Sequence, residues 1–274
     1  MPAQPDVPLR PMTLGELLDA AMTLLRARAL PLLLTAGVLA ALEQALLVPL
    51  RRAASVTPPF YGPSRYDFGG WWTLVSAGFA AEGFIICVLA AVAAAAAGPA
   101  LVGQPLRHRQ LWARTRPVPT LLAALALGLA CGVAAAAGFL GWFFVYGLFG
   151  LVSAVLVIDR SGSFGRSARL AARGGMRGVW TRLAAYVTWF AVRIALGSGW
   201  VAVFTSVTGD QPDWLDWLTP VALAAANTVA YAALGCVDAV LLLETRIRTE
   251  GLDIAISRAR GRGEDPAVAL VHPR

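Results

Sequence analysis

The sequence predicts an all-α, polytopic membrane protein: a bundle of six transmembrane helices, with amphipathic helices lying in the cytoplasmic interface. Hydrophobic residues make up 58% of the 274 residues and charged residues only 14%, whereas roughly a quarter of a soluble domain is charged. A helix needs about 20 residues to cross a bilayer. Most of the apolar segments are close to this length, and one is long enough for two spans. Arginines concentrate in the short connectors between these segments, as in cytoplasmic loops.

The N-terminal region is predicted to contain a disordered segment, residues 1–12, followed by a helix over residues 13–28. Thr13 and Glu16 have the spacing of a capping box, in which each side chain satisfies a free backbone N–H of the other residue. Apolar residues recur at helical spacing after this box, at Leu14, Leu17, Leu18, Ala21 and Leu25. We expect this amphipathic helix to lie along the membrane surface, and to be separated from the first span by a kink at Pro31.

The predicted membrane domain covers residues 13–245, and residues 246–274 form a cytoplasmic tail. Its spans are residues 29–50, 71–98, two segments of 117–158 divided near 138–141, 183–205 and 218–243. The segment 117–158 is divided because it is too long for one span and long enough for two. The tail is expected to continue as a polar helix to residue 262 and to fray from residue 263.

The arginines set the predicted orientation. The connectors 104–116 and 160–182 are rich in arginine, whereas the connector 206–217 contains three aspartates and no arginine. This asymmetry places both termini in the cytoplasm of a bacterial plasma membrane, with anionic lipid headgroups as the partners of the arginines. The net charge of +7 therefore does not indicate binding to nucleic acid.

The segments predicted to lie on the cytoplasmic side show a weak internal repeat. Residues 14–34, 106–125 and 164–186 each contain a short amphipathic stretch, then arginines, and then the start of a span. Three units of one interfacial helix and one span would produce this pattern. Any inward connector of an arginine-rich protein would also resemble it, so both interpretations remain open.

Six polar residues lie inside the predicted spans and form the candidate site: Glu43, Gln44, Glu82, Arg193, Asn227 and Asp238. A charge near the bilayer centre costs roughly 2.5–3.5 kcal/mol on an insertion scale, so these side chains should face the bundle interior. Glu82 and Arg193 fall at similar depths and are predicted to form a pair between the second and fifth spans. The group could line a path for a proton or substrate, or it could be structural.

Sites for enzyme chemistry, metals and cofactors are not indicated by the sequence. The two histidines, at positions 108 and 272, and the three cysteines form no cluster with metal-ligand spacing. Ser198 lies between two glycines within a span, where small residues favour helix packing, and no base is near enough to activate a serine. Gly128 and Gly132 form a G-x-x-x-G pattern, which we interpret as intramolecular packing rather than dimerisation.

Three pieces of sequence carry a family resemblance, at residues 11–20, 165–170 and 246–253. Together they resemble actinobacterial integral membrane proteins related to the glycerophosphoryl diester phosphodiesterase membrane domain. The resemblance implies a membrane module without the separate catalytic barrel of that family. The His-Arg-Gly hallmark of the barrel is absent, because His108 and Arg109 are followed by Gln110.

Three functions follow as hypotheses. The first is a non-enzymatic membrane scaffold or accessory subunit with a membrane-protein partner that the sequence does not identify. The second is a small transporter or permease that uses Glu82, Arg193 and Asp238. The third, an enzyme acting on lipid, rests on the family resemblance alone. A water-filled cavity that reaches Glu82 or Asp238 would favour the transporter, and a closely packed core would favour the scaffold.

Overall fold

Six apolar helical segments form the bundle, as predicted. The computed structural model describes residues 8–56, 62–63, 67–104, 108–161, 164–173, 175–209 and 212–271. Within these ranges every regular element is a helix. The segments long and apolar enough to cross a membrane, called spans 1 to 6 below, are Ala29–Ala53, Phe68–Leu101, Pro117–Ala136, Leu140–Ile158, Arg177–Thr208 and Trp214–Glu250.

Spans 2 and 6 form the centre of the bundle. About nine-tenths of the residues in the most apolar part of span 2 are buried, compared with about a fifth of those in the most apolar part of span 5. Span 2 packs against spans 1, 3, 4 and 6, while span 5 packs against span 6 and the first half of span 4. Long runs of alanine, including Ala93–Ala97, bring the central helices close together because small side chains allow close helix approach.

The ends of several spans differ from the prediction. Span 5 begins at Arg177, six residues before the predicted start at residue 183. The polar helix predicted after span 6 is present, but it is interrupted at Gly251, between the end of span 6 at Glu250 and the helix Leu252–Gly261. The division between spans 3 and 4 lies at residues 137–139, as predicted. Span 4 itself is interrupted after Phe149 and resumes at Val152.

A short helix precedes spans 1, 3 and 5, in agreement with the three-unit pattern. These short helices 1, 2 and 3 are Leu14–Ala27, His108–Arg114 and Phe164–Ala172. With the C-terminal segment 251–271 they make up the arginine-rich end of the bundle. The connections after spans 1, 3 and 5 make up the opposite end, called the loop end below.

Short helix 1 begins with the predicted capping box. The Glu16 N–H donates to Thr13 Oγ1 over 3.3 Å, and the Thr13 N–H donates to Glu16 Oε2 over 2.8 Å. A hydrogen bond from Arg10, with those from Thr13, lowers the pKa of Glu16 to about 2. The expected kink at Pro31 is wrong: the chain bends at Arg28, whose φ of −126° interrupts the helix, while Pro31 fits within the first turn of span 1.

The apolar face of short helix 1 is covered by protein. Leu17 and Leu24 are 0% and 1% exposed, and the helix packs mainly against span 6. Met12 is also buried, at 1% exposure, and its carbonyl accepts hydrogen bonds from Arg177 and Arg248. The expected disorder therefore does not extend to Met12; residues 1–7 lie outside the described ranges.

The C-terminal segment folds back onto the bundle, so the expected fraying after residue 263 is wrong for its described part. Residues Pro266–Leu270 form a 3₁₀-helix, and Leu270 is 7% exposed. The carbonyl of Leu270 accepts a hydrogen bond of 2.6 Å from Arg246. An apolar side chain and a buried guanidinium thus fix this segment. Residues 272–274 lie outside the described ranges.

Candidate functional site

The predicted pair between spans 2 and 5 is present. Arg193 Nη2 donates to Glu82 Oε2 over 2.9 Å, and Arg193 Nη1 lies 2.8 Å from Glu82 Oε1. The second contact is an ion pair without hydrogen-bond geometry, so Glu82 Oε1 has no hydrogen-bond partner among the described residues. Tyr186, two turns before Arg193 on the same face of span 5, donates to Glu82 Oε2 over 2.9 Å.

Glu43 of span 1 joins this pair through a tyrosine of span 6 and also binds an asparagine of that span. Its Oε1 accepts from the hydroxyl of Tyr231 over 2.7 Å, and its Oε2 accepts from Asn227 Nδ2 over 2.8 Å. The Tyr231 hydroxyl in turn accepts from Arg193 Nη1 over 2.9 Å. A continuous hydrogen-bonded network, called the polar network below, therefore connects spans 1, 2, 5 and 6.

A cleft of about 480 Å³ reaches the polar network. It falls within the range of roughly 300–1,000 Å³ that is usual for small-molecule sites. Its lining combines the polar network with five further aromatic side chains, which are Trp71, Trp72, Phe79, Phe139 and Phe190. Of these, Trp71, Trp72 and Phe139 lie at span ends near the loop end. The cleft therefore has a mostly apolar wall and ends on carboxylates and a guanidinium.

Span 5 changes its winding directly after Arg193. Residues Ala195–Gly199 form a π-helical turn, a rare insertion that is frequent at functional sites. Gly197 permits a close approach to span 6 there, because an added Cβ would lie 2.5 Å from a methyl carbon and 3.2 Å from the Cα of Leu223. Ser198 donates to the Ile194 carbonyl over 3.0 Å, a contact that fits a packing role for this serine.

Asp238 lies elsewhere and pairs with Arg182. Arg182 Nη2 donates to Asp238 Oδ2 over 2.9 Å, beside a second hydrogen bond from Nε to Oδ1. Arg182 also donates to the carbonyl of Tyr146, at the point where span 4 is interrupted. An added Cβ at Gly150 would overlap the guanidinium. Insertion of a side chain into a helical ladder is a recognised cause of such a kink.

A third buried group of charges connects spans 4 and 6 to short helix 3. Asp159 Oδ2 accepts from Arg166 Nε over 3.0 Å, and Asp159 Oδ1 accepts from Arg246 Nη1 over 2.7 Å. Both arginines also pair with Glu250, which accepts a further hydrogen bond of 2.9 Å from the exposed Arg173. This group closes the arginine-rich end of the bundle.

The structure thus divides the sequence-predicted candidates. It brings Glu43, Glu82, Arg193 and Asn227 into one network, together with Gln44, whose amide lies 3.5 Å from Glu43 Oε2. Asp238 belongs to a separate pair. Sequence reasoning missed Tyr186 and Tyr231, and it assigned Arg182 to a surface connector although Arg182 is 1% exposed. The sequence did contain one signal for the role of Arg182. Asp238 is a single charge in an apolar run, and such a charge requires a partner.

Six apolar helices with a polar cleft between them define the class: a polytopic α-helical membrane protein. Comparison of the chain with protein-family models, with curated proteins and with solved structures finds no match. The family resemblance of residues 11–20, 165–170 and 246–253 therefore stays a prediction. Among the described residues, no group of three His, Cys, Asp or Glu side chains is placed to hold a metal ion.

Proposed function

We propose that this protein is a small transporter-like membrane protein, whose ligand enters the cleft from the loop end and reaches the polar network. The single observation that carries the proposal is that the cleft extends to Glu82, Glu43 and Arg193. Such a cavity is the feature that distinguishes a transporter from a scaffold at this site. A structural ion pair needs no opening of about 480 Å³ beside it.

The lining supports a small amphipathic ligand. Five aromatic rings of the cleft would contact an apolar body, while a polar head would meet the polar network. The lining holds two carboxylates, Glu43 and Glu82, and two guanidinium groups, Arg51 and Arg193. These formal charges balance, so the site favours a head group that donates and accepts hydrogen bonds over a highly charged ion.

The same proposal includes the location and orientation. We place the protein in a bacterial plasma membrane with both termini in the cytoplasm, so that the cleft faces outward. Three arginines that are exposed at the arginine-rich end support this orientation: Arg26, Arg169 and Arg173. Anionic lipid headgroups are their proposed partners. No enzymatic activity is proposed.

A scaffold or accessory subunit is the second candidate, and a different observation favours it. Between the polar network and the arginine-rich end, spans 2 and 6 are closely packed: residues 89–97 and 232–243 are all buried. Gly235 approaches the backbone of Leu89 so closely that an added Cβ would lie 2.8 Å from its carbonyl carbon. A transporter would have to open this half of the bundle.

Cysteine accessibility tests the proposal. The native Cys87, Cys131 and Cys236 are buried, so the wild-type protein should give little background with a charged, membrane-impermeant thiol reagent. Gly78 lines the cleft with no atom within 4 Å of an added Cβ. We expect Gly78→Cys to react from outside intact cells, because thiolates form readily in water and not in lipid.

Leu125→Cys provides the matched control. Leu125 is 52% exposed on the outer surface of span 3, where lipid rather than water would surround it. Its cysteine should react at least roughly tenfold more slowly than that at position 78, because burial in apolar surroundings raises a thiol's pKa. Equal, slow reaction of both variants would contradict a water-accessible cleft and leave the scaffold as the better proposal.

A further inference from the structure

A second pocket, of about 660 Å³, lies at the arginine-rich end, and none of its lining residues also lines the cleft. Its floor is formed by the last turns of spans 2 and 4, at Ala94, Ala95, Gly98 and Ile158. Its outer wall is the C-terminal segment around Val268. The pocket therefore combines small apolar residues at the end of two spans with a rim in the zone where lipid headgroups would lie.

Three arginines line this pocket: Arg114 from short helix 2, Arg116 before span 3 and Arg160 after span 4. In the part of the chain that the structure describes, no ion pair or hydrogen bond engages the guanidinium groups of Arg114 or Arg160. Arg116 donates one hydrogen bond, to the Leu156 carbonyl over 3.2 Å. This differs from Arg166, Arg182, Arg193 and Arg246, which all pair with carboxylates.

Asp265, the one acidic side chain among the described residues that line the pocket, already has partners. Asp265 Oδ1 accepts from Gln104 Nε2 over 3.2 Å and from the Ala267 N–H over 2.9 Å. Three arginines and one aspartate leave a formal charge of +2 on the lining. The carboxylate thus fixes the pocket wall, and the arginines are left with unused donors.

The backbone is also unusual at two of the three arginines. Arg116 and Arg160 have φ values of 51° and 55°, in the left-handed region that side chains other than glycine rarely adopt. Such strained positions concentrate at ligand sites and persist where the surrounding structure holds them. Here they place two guanidinium groups on the same pocket from the ends of two different spans.

We propose that this pocket binds a phosphate group, with Arg114, Arg116 and Arg160 as its ligands and the small residues of spans 2 and 4 beside it. Guanidinium groups match phosphate oxygens in geometry and charge, and hydrogen bonds between two ions are about twice as strong as neutral ones. The phosphate could belong to the headgroup of an anionic phospholipid or to a soluble phosphate compound. The proposal does not depend on the function proposed for the cleft.

The test compares Arg114→Gln/Arg160→Gln with the control Arg258→Gln/Arg260→Gln. The control removes two exposed arginines from the helix Leu252–Gly261, outside the pocket, so both variants lose the same charge. The purified full-length protein in neutral detergent is titrated with phosphatidylglycerol in one arm and with inorganic phosphate in the other. Native mass spectrometry measures lipid binding, and calorimetry measures phosphate binding.

We expect the wild type and the control to bind alike and the pocket variant to bind about tenfold more weakly, a loss typical of removed charge-assisted contacts. If this loss appears with phosphatidylglycerol only, the source is lipid; if it appears with inorganic phosphate, the source is soluble. Val268→Glu, which adds a negative charge at a side chain that is 70% exposed, should weaken the same binding without unfolding the protein. Equal binding by both double variants, or no binding of either probe, would overturn the proposal.

Discussion

The buried charged residues Glu43, Glu82, Arg182, Arg193 and Asp238 inside the spans all have polar partners, yet pairs of this kind are expected to add little net stability. Each ion gives up its hydration on burial, so replacing a buried pair by packed apolar residues is often neutral or stabilising. Removal of one partner is different, because it leaves an uncompensated charge. Glu82 and Arg193, at 4% and 7% exposure, are the clearest place to measure this asymmetry.

We predict that Glu82→Gln and Arg193→Gln each lower the free energy of unfolding by about 3–5 kcal/mol, the usual cost of breaking a buried pair. The double variant should lose less than the sum of the two, because it no longer contains a stranded charge. Unfolding in mixed detergent micelles, followed by circular dichroism, gives the four free energies of the double-mutant cycle.

Arg262 and Glu264 supply the control cycle. They form a salt bridge of 2.8 Å but are 59% and 54% exposed, so solvent screening should leave no measurable coupling. Equal coupling energies for the two pairs would show that the buried position does not matter. A coupling energy near zero for the pair of Glu82 and Arg193 would contradict the ion pair itself.

The sequence predicted the pair of Glu82 and Arg193 because charged side chains avoid the lipid-facing surface of a span. Two opposite charges that lie at similar depth in the bundle interior are then expected to pair. It did not predict Arg182, since an arginine at the start of a span also satisfies the rule for cytoplasmic connectors. It did not predict the role of Tyr231 either. A tyrosine is common in an apolar run, and no sequence spacing indicates which group its hydroxyl will bind. Such partners are fixed only by helix rotation, which the spacing of polar residues leaves open.

The paired elements of the bundle show how little space separates spans 2 and 3. An added Cβ at Gly128 would lie 2.7 Å from the Ala80 carbonyl oxygen, and one at Gly132 would lie 2.8 Å from the Ala80 Cβ. The predicted intramolecular role of this G-x-x-x-G pattern is therefore confirmed. Glycine at these positions lets the two helices approach until their backbones touch.

We predict that Gly128→Ala destabilises the protein by about 1–3 kcal/mol, because the extra methyl group forces the two helices apart. Gly78→Ala is the matched control on span 2, since its added Cβ would meet no atom within 4 Å. Thermal unfolding in one detergent should give a lower midpoint for the first variant only. Unchanged stability of Gly128→Ala would mean that the helices separate at no cost.

The existence of the six helices was predictable from apolar length, and their ends were not. Span 5 begins early because Arg182 and Thr181 are buried by tertiary contacts, although polar residues normally mark the end of an apolar run. The polar continuation of span 6 was predicted, but its interruption at Gly251 was not. Glu250, the last residue before this interruption, pairs with Arg166 of short helix 3, a tertiary contact that hydropathy does not indicate.

As a whole, the molecule has two different ends. The arginine-rich end is closed by the group around Asp159, by short helix 1 and by the C-terminal segment. The loop end contains the cleft. If the arginine-rich end faces the cytoplasm, the closed half of the bundle lies toward the cell interior.

We predict that reporter fusions at Arg109, Arg173 and the C-terminus give a cytoplasmic signal, and that a fusion at Gly62 gives an external one. The expectation follows from the arginine-rich connectors, which are retained on the cytoplasmic side. Paired phosphatase and fluorescent-protein reporters measure the two outcomes at each position. An external signal from position 173 would reverse the orientation and place the cleft inside the cell.

The pair of Arg182 and Asp238 also has a consequence for the synthesis and membrane insertion of the protein. The ribosome makes Arg182 before it makes Asp238, so span 5 must enter the membrane carrying a cation whose counter-ion has not yet been synthesised. Glu43 likewise precedes Asn227 and Tyr231, both of which arrive with span 6. Span 6, the last span to be synthesised, therefore supplies the counter-ion of Arg182 and the hydrogen-bond donors of Glu43, which were synthesised earlier. Until translation reaches span 6, Arg182 and Glu43 therefore lack the hydrogen-bond partners on that span that they have in the folded protein.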